Sequence, residues 1–129
     1  MNYYHTKKTA LPFDQAVTKT KEELSKEGFG ILTEIDVKDV MKKKIGAEYE
    51  NYVILGACNP NFAHPALQIS KEIGLLLPCN VLVYEESGEV YVSTIMPTVA
   101  MSVADVDGLS EIAQEVEGKL TRAVDNATA

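Results

Sequence analysis

The sequence predicts an α+β fold, a two-layer sandwich running strand, helix, four strands with two short inserted helices, and a final helix. Three observations predict it. Apolar residues recur at helical spacing near both ends of the chain. Four short apolar runs, at residues 30–35, 52–58, 79–85 and 90–96, lie between Gly, Pro and Asn breaks. The turn Glu86-Ser87-Gly88-Glu89 joins the last two so tightly that they must run antiparallel. The economical arrangement is one mixed or antiparallel sheet with both long helices on one face.

Each element has a local cause. Residues 2–9 alternate weakly and carry Lys7-Lys8-Thr9, as an edge strand would. Pro12 suits the start of a helix, and Phe13, Ala16, Val17, Thr20 and Leu24 follow at its spacing. Gly28 is placed to close that helix in the left-handed conformation, with Phe29 meeting Leu24. Asp36 caps a short helix over 37–45, whose apolar stripe is Val37, Val40, Met41 and Ile45, and Gly46 stops it. Pro65 would clash inside a helix begun at Asn59. A turn is therefore expected over 59–64 and the second inserted helix over 65–73, closed by Gly74. Pro97 ends the sheet. A stripe from Val103 to Val124 forms the last helix, Gly108 marking its start and residues 126–129 fraying.

The length of 129 residues suits one domain. Twelve Lys and Arg against 19 Asp and Glu leave a net charge of −7, which opposes binding to nucleic acid or to anionic lipid. Lys42-Lys43-Lys44 is too short a basic run to reverse that. No apolar run is long enough to span a bilayer, and the first residues carry no export signal, so a cytoplasmic protein with two free thiols is expected.

Strand alternation places Cys79, Val81 and Val83 on one face and Asn80, Leu82 and Tyr84 on the other. Both faces of the strand at 52–58 are also largely apolar. Helices on one side would leave an apolar sheet face in water, which marks an interaction surface. A homodimer packed sheet on sheet is the simplest cover; the final helix and inserted segments are the alternative.

The candidate site comes from the same topology. Cys58 ends one strand and Cys79 begins the next; if these strands are antiparallel neighbours, the two sulfurs come within a few ångströms, with His64 in the loop above. Three chemistries are open: a metal such as zinc held by Cys58, Cys79 and His64 with an open coordination position; a thiolate nucleophile activated by His64; or dithiol–disulfide cycling. No C-x-x-C or H-x-x-x-H spacing supports any of them, and two core thiols beside a surface histidine is the plainer reading. Asn59 and Asn80 follow the cysteines and could orient a polar ligand. Glu34 stands two residues before Asp36 on one strand face and completes the ligand-binding set Cys58, Asn59, Cys79, Asn80 and Glu34.

Three phrases carry a resemblance: Gly28-Phe29-Gly30-Ile31-Leu32-Thr33-Glu34-Ile35-Asp36-Val37, Leu55-Gly56-Ala57-Cys58-Asn59-Pro60, and Gly74-Leu75-Leu76-Leu77-Pro78-Cys79-Asn80-Val81. Together they resemble the bacterial and archaeal proteins of domain of unknown function 302, over nearly the whole chain. The resemblance implies a small α+β fold of the TATA-binding-protein-like type and dimer formation. It carries over no catalytic role and leaves any cofactor unknown, because that family has no assigned activity. The leading expectation is a homodimer that binds a small ligand or metal near Cys58 and Cys79. A thiol-dependent enzyme or redox protein, using Cys58 or Cys79 with His64, is the second. A purely structural interaction module is the third.

Overall fold

The computed structural model describes residues 2–129. Five strands form one antiparallel sheet: β1 (Tyr4–Thr9), β2 (Gly30–Asp36), β3 (Tyr52–Cys58), β4 (Cys79–Glu86) and β5 (Glu89–Ile95), in the order β1-β5-β4-β3-β2. Ser87 and Gly88 both take positive φ, the requirement of a two-residue hairpin turn whose twist matches its strands.

Helix α1 (Phe13–Lys26) buries Ala16, Thr20 and Leu24 at successive turns. The buried Thr20 hydroxyl donates to Ala16 O at 2.7 Å, so it costs little. Gly28 ends the helix at φ +89°, Phe29 N donates to Leu24 O and Gly28 N to Ser25 O, the double closure expected of a left-handed glycine cap. Helix α5 (Leu109–Thr128) begins after Gly108 and buries Leu109, Ala113, Val116, Leu120, Ala123, Val124 and Ala127. It packs beside α1 on the same sheet face, against Val81, Val83, Val92 and Leu55. Each large aliphatic side chain sealed there contributes about 1.5–3 kcal/mol. The expected fraying of 126–129 does not occur: Ala127 is fully buried, and Thr128 Oγ1 donates to Val124 O at 2.8 Å. The last turn is held because the helix runs along β1, where His5 Nε2 meets Asp125 Oδ1 at 2.8 Å. That hydrogen bond is the main cause holding the Asp125 carboxyl below its ordinary range.

Helix α2 (Val37–Ile45) is capped as predicted, the Asp36 carboxylate accepting from Asp39 N at 3.1 Å and Gly46 closing it at φ +69°. Its apolar stripe is only partly covered. Val37 is buried, but Val40 is exposed and Ile45 is 74% exposed. The second inserted helix corrects the sequence reading. Helix α3 (Pro60–Ile69) starts at Pro60 and carries Pro65 inside it, and a 3₁₀ turn, Lys71–Leu76, follows where the helix was expected to continue to Gly74. Pro65 removes one intrahelical bond, the one to Asn61 O. Burial of Ala66 and packing of Phe62 on the main core offset that loss. A further short helix, α4 (Pro97–Ala100), leaves the sheet at Pro97.

Among the described residues, both long helices pack on the face of Val81 and Val83, and neither covers the other face. Tyr52, Tyr84 and Tyr91 stack across three strands, with ring centroids 5.6 and 5.4 Å apart. Ile35, Ile54 and Leu82 lie in register beside them. Among the described residues, no helix is long and apolar enough to cross a membrane.

Candidate functional site

Antiparallel pairing of β3 and β4 sets Ala57 opposite Cys79, with Cys58 the next residue along. Here the sheet ends and the chain turns into α3. The two free thiols, Cys58 and Cys79, line one cavity of about 40 Å³. Phe29, Phe62 and Ala66 wall one part of it; Met101, Ile112 and Ala113 wall another. Among the described residues, no charged side chain lines it.

Asn59 is its polar feature. The residue stands at the position that would cap α3, yet its side chain makes no capping bond. Nδ2 instead donates to Glu27 O at 3.1 Å, in the loop that closes α1. Gly28 makes room for this amide: a Cβ there would lie 3.0 Å from Asn59 Nδ2. Asn59 is 6% exposed, and its Oδ1 finds no hydrogen-bond partner among the described residues. Leaving a buried acceptor unpaired costs about 1–3 kcal/mol.

Burial pushes the Cys79 thiol up to about 11, and the neighbouring Cys58 adds to the push. At neutral pH Cys79 is therefore a thiol and a poor nucleophile. His64 is exposed on α3 and is not among the cavity-lining residues. Among the described residues, no three His, Cys, Asp or Glu side chains gather as metal ligands would, so the set Cys58, Cys79 and His64 is not assembled. Asn80 is also separate: it pairs with Gly56 and is exposed beyond the buried Cys79. Glu34 forms an ion pair with Lys21 of α1. Of the five residues expected to bind a ligand, Cys58, Asn59 and Cys79 come together, whereas Asn80 and Glu34 do not.

The walls from α3, Met101 and α5 were missed by sequence reasoning. They meet β3 and β4 only through packing of segments far apart in the chain, which spacing does not encode. The pairing of Asn59 with the glycine turn at Gly28 has a fainter signal, since each follows directly on a predicted element.

The fold and cavity define a class: an antiparallel α+β sandwich with an apolar cavity at one end of its helix-covered side. Within that class, the chain belongs to the family described as Domain of unknown function DUF302, whose model matches residues 5–127. It is similar to an uncharacterized conserved protein DUF302 from Bacillus stearothermophilus, known as a crystal structure. The two are 28% identical and superpose with a TM-score of 0.93 over 98% of this chain and 99% of that one. No curated protein matches the chain.

Proposed function

We propose that the chain is a small-molecule-binding protein and that its ligand occupies the cavity between Asn59, Cys58 and Cys79. The observation that carries this reading is the unfilled apolar space where β3 and β4 meet α3 and α5, walled by Phe29, Cys58, Phe62, Cys79 and Ile112. Concave, mostly apolar pockets are where small ligands bury their surface. Crystals soaked in 2-propanol, acetone or acetonitrile test the reading. Ordered density inside the cavity is expected from at least one solvent. Density confined to the outer surface for all three would sink it.

A second copy of the chain covering the open sheet face is a further reading, favoured by the tyrosine stack and its aliphatic neighbours. Five strands about 4.8 Å apart and about 20 Å long offer a face that buries on the order of 1,000 Å² between two copies, enough for a specific two-fold interface. Light scattering should give twice the chain mass. Leu82→Lys, which places a charge in the middle of this face, should halve it without unfolding the protein. A wild-type chain that runs as a monomer at high micromolar concentration would contradict the pairing.

A further inference from the structure

We infer that the cavity takes the short alkyl end of a small amphiphile, and that the ligand's polar end, not an anion, stays outside in the neighbouring groove. The inference rests on the small-molecule-binding reading above. The wall sets the chemistry of the inner end. Every lining side chain is hydrocarbon, thiol or thioether except that of Asn59. The Asn59 amide is already packed away: Nδ2 donates to Glu27 O, and Oδ1 is buried without accessible surface. Thiols and a thioether are weak hydrogen-bond partners. A hydroxyl, amide or charge pushed inside would give up its water for little in return, whereas a bare alkyl group gains by leaving water.

The volume sets the length. A space of about 40 Å³ admits roughly three or four groups the size of a water molecule or a methyl, which is a chain end of about that many carbons. Water is a poor occupant of such walls, because buried waters typically make about three hydrogen bonds.

The groove sets the outer end. Met101, Leu109 and Ala113 line both the cavity and a surface groove of about 290 Å³, so the two spaces share one wall. Met101 is unbranched and half-buried, and rotation of its side chain joins them. The groove adds Thr98, Ser110 and Gln114, neutral groups that can donate and accept, together with the exposed Asp105 and Asp107. Among the described residues, no lysine, arginine or histidine lines it. A carboxylate or phosphate head would therefore meet two like charges and no cation, on a chain whose net charge is −7.

Three probes of one length test the class on the unmodified protein: pentan-1-ol, pentane-1,5-diol and pentanoate, followed by amide resonances in two-dimensional NMR. Pentan-1-ol should cause saturable shifts at Ala57, Cys79 and Ala113 in the cavity and at Ser110 in the groove. The diol, which must bury a hydroxyl, and pentanoate, which brings an anion to the groove, should each bind at least about tenfold more weakly. Diol binding in the cavity as tight as that of pentan-1-ol would overturn the alkyl requirement and leave small-molecule binding intact. Equally tight binding of pentanoate would overturn the exclusion of anions. Silence from all three, with 2-propanol, acetone or acetonitrile ordered in the cavity of soaked crystals, would overturn this inference alone. Silence from every compound would overturn the reading beneath it as well.

Discussion

Gly56→Ala will destabilise the protein by about 2–4 kcal/mol, a large fraction of the stability of a chain of this size. Gly56 sits in the middle of β3, opposite Thr33 of the edge strand. A Cβ at Gly56 would lie 2.1 Å from Thr33 Oγ1 and 2.9 Å from Pro78 Cγ, inside the contact distance of both. The strand cannot move away, because β2 and β4 hold it on both sides. The register of β2 also slips by one residue between Ile31 and Thr33, which seats the Thr33 hydroxyl over the glycine. Urea denaturation measures the effect. Adding Thr33→Ala to Gly56→Ala should restore about half of the loss, since the closest collision disappears while that with Pro78 remains. A Gly56→Ala chain within 0.5 kcal/mol of wild type would show that the close approach is not real.

Alkaline pH should weaken the fold through Cys79. Its thiol is raised by burial from an ordinary value of 9.0 to about 11. Below pH 9 the thiol is protonated in folded and unfolded chains alike, and no difference arises. Between 9 and 11 the unfolded chain ionises first, so stability falls as pH rises, by about 2–3 kcal/mol in all. Cys79→Ala should lose this slope. Tyr52 and Tyr84 are also raised by burial, but they titrate in both chains and cancel in the comparison. Parallel stability curves for the two proteins across this window would refute the buried-thiol account. Iodoacetamide should leave Cys79 unmodified at neutral pH for the same reason.

Most of the fold was legible because its boundaries are set by local chemistry. Gly28, Asp36, Gly46 and the Ser87-Gly88 turn each act through their own backbone or side chain, so their roles can be read without knowing the rest of the chain. Helix α3 was misread because Pro65 was weighed as a local clash. Its cost is one missing bond, and long-range packing of Phe62 and Ala66 outweighs it. The cavity was half legible. Antiparallel pairing of β3 with β4 was a premise of the sequence reading; the structure has it, and it brings Cys58, Asn59 and Cys79 together. Asn80 was excluded by the same two-residue alternation that buries Cys79. His64 was excluded because α3 begins earlier than expected and carries it on its exposed side. Nothing local announces Ile112 or Ala113, which reach the site from the far end of the chain.

The slip in register along β2 has one more consequence. It leaves Leu32 65% exposed on an outermost strand and interrupts the regular ladder there, while the opposite outermost strand, β1, carries Lys7 and Lys8. An incoming extended segment would meet a kinked row of peptide groups at one margin and positive charge at the other. Lateral growth into fibres is thereby discouraged at both ends of the ribbon, although its broad surface is rich in aromatic and aliphatic groups.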